Sequence, residues 1–223
     1  MNRRMFITIL AILSVSCRHV SRPEPSATAF GAAIVNISED TIVGGVGAMP
    51  DQPLTVQVND ADGNGIAGTR VEFTDSAPGL TGNDGQFSTR IRLGSTSGRY
   101  TLTATTHDKT GRPLRTTFTA IALDYQQTLG RELSEQHCAR CHDPQSTAGR
   151  VSNRDNLSVP PHSFSDGAVL NRIASPNLIA IITHGGTAVG KSPEMPPYSP
   201  TLSTSEINAL SAYIRAIADP PFR

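Results

Sequence analysis

One short stretch constrains this chain more than any other: Cys138-Ala139-Arg140-Cys141-His142. Two thiols with two residues between them can each add to one vinyl group of a single porphyrin, and an imidazole immediately after them comes to lie under its iron. A chain anchored in this way must fold a pocket around a large, flat, mostly apolar group. Other uses of paired cysteines compete with this one. A redox-active dithiol belongs in a βαβ setting, which is missing here, and has no need of His142. A zinc knuckle needs a second pair of ligands, and no cysteine follows Cys141. A plain disulfide across two residues leaves His142 without a role. The rest of the sequence answers to covalent haem.

The cysteine count then isolates Cys17. The chain has 3 cysteines, so once Cys138 and Cys141 hold a haem no pair is left for a structural disulfide. Arg3 and Arg4 form a positive start, residues 5–13 are largely apolar but too short to span a bilayer, and the small residues Ser14 and Ser16 follow. Residues 1–16 therefore read as an export signal. A Cys directly after such a segment resembles the lipobox of bacterial lipoproteins, which implies that Cys17 is lipidated and anchors the mature chain to a membrane. The match departs from the family at Ser14, where a Leu is usual, and Leu13 stands one place further back. A plain cleaved signal is the other reading. Residues 17–28, polar and carrying prolines, read as a tether.

Length and charge narrow the partners. With 223 residues the chain exceeds the usual domain of about 100–150, which favours two domains. Lys+Arg 19 against Asp+Glu 19 gives no net charge, which argues against nucleic acid and offers no basic field to an acidic partner.

Across residues 29–123, short runs alternate apolar and polar side chains, separated by Gly, Asp and Asn clusters. The clearest runs are residues 54–58, 70–74, 87–93 and 100–104, with others near 33–37, 41–46 and 114–123. About seven strands fit, the pattern of an all-β sandwich. The turn at 58–68, then Val71-Glu72-Phe73, Asn83-Asp84-Gly85-Gln86 and residues 98–104 resemble the bacterial Ig-like domains of invasin and intimin type. That resemblance implies an Ig-like sandwich acting as spacer, adhesive module or docking surface. Within it, Asp60, Asp62 and Asn64 with Gly65 satisfy the first half of a calcium loop, but Val71 stands where a bidentate Glu is required. Asp, Asn and Gly are also what a tight turn demands, and a turn is the favoured reading over calcium.

Beyond Leu123 the period changes to about 3.6. Asp124 can cap a helix whose stripe is Tyr125, Leu129 and Leu133. Ser175 as cap and Pro176 in the first turn open a second helix, closed by Gly185-Gly186. Ser203-Thr204-Ser205-Glu206 is a capping box beside a staple of Leu202 and Ile207, and Ile207, Leu210, Ile214 and Ile217 form the stripe of a last helix that Pro220-Pro221 stops. Residues 124–223 resemble the class I, monohaem cytochromes c. In that family a Gly eight places before the first haem Cys lets the first and last helices cross, and Gly130 holds that place. The aromatic usual four places before that Cys is absent, since Ser134 stands there.

The resemblance implies an all-α cytochrome c fold with one covalent haem c on Cys138 and Cys141 and axial ligands His142 and Met195. Met195 is the only methionine after the haem motif and sits in Glu194-Met195-Pro196-Pro197-Tyr198, like the family's M-P-x-aromatic segment. His184 and His162 are its rivals, and a carbonyl of Pro160 or Pro161 is a candidate to orient His142. The expectation is an exported, periplasmic, membrane-anchored carrier of single electrons between periplasmic or membrane-bound redox proteins, rather than an enzyme. The alternative is an Ig-like recognition lipoprotein whose haem senses redox state or a gas; a subunit of a larger oxidoreductase is a further possibility.

Overall fold

The computed structural model describes residues 27, 29–142 and 151–223. The signal 1–16 and Cys17 lie outside the described residues. Among the described residues, no helix is long and apolar enough to cross a membrane.

Alternation builds the first half of the chain. In β3 (Leu54–Asn59) the side chains of Leu54, Val56 and Val58 are buried while those between them are half-buried, the period of two that turns one face to a core. β1 (Ala33–Asn36) and β6 (Gln86–Thr89) flank β3 in one antiparallel sheet. β2 (Thr41–Gly45), β8 (Pro113–Leu123), β7 (Gly98–His107), β4 (Arg70–Phe73) and β5 (Gly79–Leu80) form the other, in that order. The two-residue β5 has no counterpart in the sequence reading. Both sheets contribute to one apolar core, in which the Phe73 ring tilts against Phe87 and Phe118 at 6.1 and 5.8 Å. The run at 87–93 pairs only as far as Thr89, yet Ile91 and Leu93 remain buried. Alternation there tracks burial after the ladder has ended. The Asp60 carboxylate accepts from the amides of Asp62 (2.9 Å) and Asn64 (2.8 Å), so its oxygens are turned onto the loop's own N–H groups.

The second half begins without a break. Asp124 caps α1 (Tyr125–His137) with a full capping box, Gln127 N–H donating to its carboxylate at 2.8 Å and the Gln127 side chain accepting from its amide. Leu133 is buried and Leu129 packs beside it, but Tyr125, expected on the same stripe, is 79 % exposed. α2 (Ala139–His142), α3 (Gly167–Leu170) and α4 (Ser175–His184) follow, and α5 (Thr204–Ile217) closes the chain. Ser203 and Glu206 form the expected capping box of α5. Ser175 is the first residue of α4 rather than its cap, which is Ala174; its hydroxyl instead accepts from Arg215 Nε at 3.3 Å. α1 crosses α5 at Gly130, which is buried, and a Cβ there would overlap the Ala209 carbonyl oxygen. The close crossing expected of Gly130 is present.

The expectation of an all-β Ig-like sandwich followed by an all-α cytochrome c fold is corrected on both sides. β2 pairs with β8 in parallel, from Thr41 opposite Thr119 to Gly45 opposite Leu123, so the larger sheet is mixed. Only part of residues 126–214 is helical, two segments there are single 3-10 turns, and Asp166 forms a parallel bridge with Asp219. The helices also lie on the sheet. α1 and α5 pack against β8, Arg131 donates to the Val43 carbonyl at 2.8 Å, and Arg99 donates to the Ala218 carbonyl at 2.8 Å. The result is a mixed sheet-and-helix structure. Periodicity reports the local element; it is silent on which way a strand pairs and on what covers a sheet.

Candidate functional site

A single helical turn assembles the first part of the site. The Cys138 amide closes α1 on the Ser134 carbonyl at 2.9 Å, and the Cys138 carbonyl then accepts from Cys141 (3.0 Å) and His142 (2.9 Å). Positions i, i+3 and i+4 share one face of a helix. Both thiols and the imidazole therefore line one cavity of about 390 Å³.

The cavity is walled mainly by apolar side chains. Leu178 and Ile182 come from α4, Leu210 and Ile214 from α5, Leu170 from the end of α3 and Ile173 from the connection to α4. Burial has chemical consequences for the thiols. It pushes the Cys138 pKa up to about 12, with neighbouring Cys141 adding to the rise. A redox-active dithiol needs a depressed pKa and a thiolate at neutral pH; Cys138 has the opposite environment. The two thiols are not joined to each other.

His142 is held from two directions. Its Nδ1 lies 3.1 Å from the carbonyl oxygen of His162, and since a carbonyl only accepts, Nδ1 carries the proton and leaves Nε2 as the free lone pair. Its ring stacks on Phe164 at 4.4 Å with 21° between planes. Burial lowers its pKa, outweighing the opposite pull of the His162 carbonyl, so the neutral, ligating form is favoured. The sequence points to Pro160 or Pro161 for the orienting carbonyl. It belongs to His162, and the Pro161 carbonyl accepts from Arg154 Nε at 3.2 Å instead.

Met195 lines the same cavity and packs, half-buried, on the helical core. Its loop is strapped to the end of α4. The Gly186 amide donates to the Met195 carbonyl at 3.0 Å and the Tyr198 amide to the Ile182 carbonyl at 3.1 Å. Gly185, at φ +78°, makes this approach possible, because a Cβ there would stand 2.9 Å from the Met195 oxygen. Tyr198 ties the loop to the other wall, its hydroxyl donating to the His137 carbonyl at 2.8 Å. Burial raises the Tyr198 pKa to about 12, which keeps that donor in place.

The rival histidines are placed differently. His184 is exposed at the end of α4 and does not line the cavity. His162 lies at the cavity edge, but its ring nitrogen Nδ1 faces Asp166 Oδ2 at 3.2 Å. Sequence reasoning missed four supports: the His162 carbonyl, the Phe164 stack, the Tyr198 hydrogen bond, and Arg215. Arg215 donates to the carbonyls of Leu170 and Ile173 and so props the wall those residues form. Only the aromatic character of Phe164 and Tyr198 offered any signal, since the other partners are backbone atoms.

The donor set suits a covalently held haem: two thiols, an imidazole with one nitrogen already committed, a thioether and apolar walls. One comparison with known proteins bears on this reading. A family model described as cytochrome c oxidase, cbb3-type, subunit III matches residues 126–214. No curated protein matches the chain. Among solved structures, the chain is similar to the fibronectin(III)-like modules of CbhA from Clostridium thermocellum, at 12% identity over 43% of this chain and 48% of that one, with a TM-score of 0.30. It is also similar to a nucleoside hydrolase-related hypothetical protein from Saccharophagus degradans associated with carbohydrate metabolism, at 13% identity over 42% of this chain and 26% of that one, with a TM-score of 0.25. The chain thus spans about half of the first and about a quarter of the second. The match over residues 126–214 supports a C-terminal cytochrome c domain. Such a domain implies covalent haem c, electron transfer as its general work, and redox partners.

Proposed function

We propose that this protein is an exported monohaem cytochrome that passes single electrons through one haem c held between His142 and Met195 and bound covalently by Cys138 and Cys141. The observation that carries the reading is the convergence of these four side chains on one apolar cavity, with His142 Nδ1 committed to the His162 carbonyl. The haem supplies one-electron redox chemistry when bound. The chain's own part would be to hold the group through Cys138 and Cys141, exclude water from it, and offer the His142 imidazole and the Met195 thioether as ligands to its iron. A thioether in the sixth position favours a higher potential than a second imidazole. The apolar walls act the same way, by disfavouring added charge at the oxidised centre.

In this reading residues 1–16 direct export to the periplasm, Cys17 carries the lipid that anchors the chain, and 17–28 form the tether. Residues 29–123 then serve as a spacer or docking arm for 124–223. The contacts of Arg99 and Arg131, which hold the sheet against the helical half, support that role. The likeness of 126–214 to an oxidase subunit supports an oxidase-class protein among the redox partners.

The test is direct. The purified holoprotein retains haem after denaturation and has a low-spin ferrous spectrum. Met195→Ala lowers the reduction potential, within the roughly 0.8 V span that axial ligands command, and lets carbon monoxide bind the ferrous form. A high-spin ferrous wild type, or an unchanged potential in Met195→Ala, overturns the assignment of Met195.

A further inference from the structure

The two sides of the cavity are carried by loops far apart in sequence. Residues 157–164 present Pro161 and Phe164 to the cavity and the His162 carbonyl to His142. Residues 191–198 present Met195. These loops meet at one point. The Ser158 hydroxyl donates to Glu194 Oε2 at 2.7 Å and the Ser158 amide donates to Glu194 Oε1 at 3.3 Å. Glu194 is then held from its own side, its Oε2 accepting from the Ser192 hydroxyl at 3.3 Å while its amide donates to Ser192 Oγ at 3.2 Å.

Both carboxylate oxygens of Glu194 are thus committed to one residue of the opposite loop, 36 positions away. Glu194 immediately precedes Met195, and Val159, which follows Ser158, lines the cavity along with Glu194 itself. The two-point bond therefore lies across the cavity edge. It ties the loop that orients His142 to the loop that carries Met195.

We propose that Ser158 and Glu194 form a latch that positions Met195 and governs access of small ligands to the metal's sixth position. The proposal rests on Met195 as axial ligand for its consequence at the haem, but the latch itself is a property of the two loops. The other contacts of the Met195 loop, from Gly186, Ile182 and His137, all reach α4 or the end of α1. Among the described residues, Glu194 is what couples it to the loop on the His142 side, through Ser158 and the neighbouring Val159 backbone. With the latch open, residues 191–198 keep their hold on α4 and hinge away from residues 157–164. The energetic scale is modest, because Ser158 and Glu194 are both exposed and water competes for the carboxylate. Its effect is on the fraction of time the loops part, which local opening reports directly.

The experiment uses the holoprotein with imidazole as the probe ligand for the ferric form. Ser158→Ala and Glu194→Ala each raise the imidazole association rate by about threefold to tenfold, the range expected for losing one such hydrogen bond. The double variant goes no further than the larger single, because both substitutions break one interaction. Amide exchange quickens together in residues 157–163 and 192–198 of each variant. Additive rate effects, or exchange that quickens in only one loop, overturn the latch. If Met195 is not the ligand, Met195→Ala leaves the wild-type imidazole rate and spectrum unchanged, while the paired change in amide exchange still judges the latch by itself.

Discussion

The described residues form two apolar cores, and they are finished in different ways. In the sheets, Leu54, Val56, Val58, Val71, Leu102 and Phe118 meet one another and close the interior. In the helices, Leu170, Leu178, Ile182, Leu210 and Ile214 face a cavity of about 390 Å³ instead. One half is completed by its own side chains, whereas the other leaves a cavity that, in the proposed function, a group joined to Cys138 and Cys141 fills. This is why alternation alone describes the first half well, while the second makes sense only through its five-residue motif.

The sharpest way to break this contrast is to remove the anchor. In a Cys138→Ala, Cys141→Ala variant the cavity is left to water. At about 24 cal/mol per Å³, the value for enclosed cavities, the loss is roughly 9 kcal/mol, an upper bound for a cavity open on one side. That rivals the whole margin of an ordinary domain, about 5–15 kcal/mol. Hydrogen exchange on the full chain will find residues 125–137 and 204–217 exchanging freely while 54–59 and 113–123 stay protected. Equal loss in both halves would show that the sheets are not complete without the helical half.

A smaller effect comes from the seam that shapes the cavity. Gly130→Ala places a methyl group against the Ala209 carbonyl and within 2.8 Å of Tyr213 Cβ. Alanine gains about 1 kcal/mol in helix propensity, and overpacking of this kind costs about 1–3 kcal/mol. Because the obstacle is backbone, the helices must separate. The expected outcome is a net destabilisation of about 1–2 kcal/mol in denaturant titration followed by haem absorbance, with the sheet transition unmoved. A stabilised variant would mean that α1 and α5 do not cross at this glycine.

The same contrast explains what could be read from the sequence. Cys138, Cys141 and His142 are legible because their chemistry is local: three side chains, one helical turn. The Ser203 box is legible from its short spacing, while Gly130 and Met195 stand out through the places they hold in the resemblance to class I cytochromes c. The carbonyl that orients His142 is expected at Pro160 or Pro161, one or two residues too early, since backbone oxygens look alike in a sequence and only the path of the loop selects His162. Ser158 and Glu194 are ordinary polar residues until folding brings positions 36 apart together. Parallel pairing of β2 with β8 and the exposure of Tyr125 were missed for a related reason. Alternation and helical stripes describe which face is apolar, while the partner of that face is a tertiary fact. The fate of Cys17 lies outside the described residues and rests on its resemblance to a lipobox.

The smallest effect tests the self-sufficient half at a single turn. Between β7 and β8, Asp108 accepts from the Thr110 hydroxyl (2.6 Å), the amides of Thr110 (2.8 Å) and Arg112 (3.0 Å), and Arg112 Nε (3.1 Å). The Thr110 hydroxyl is the largest cause that lowers its pKa, from an ordinary 3.8 to about 2. A carboxyl whose folded pKa is depressed contributes stability that is present above its unfolded pKa and lost as pH falls through the folded one. The turn will therefore hold above pH 3.8 and loosen as pH falls toward about 2. Amide chemical shifts of Thr110 and Arg112 will titrate with a midpoint near 2 in the wild type, and the step will be absent in Asp108→Asn, which keeps an acceptor but cannot titrate. The haem spectrum should not follow this step, because the contacts of Asp108 lie within its own hairpin. A midpoint at the ordinary value would mean that the hairpin is not closed by its own side chains, and the first half would then be less complete than its core suggests.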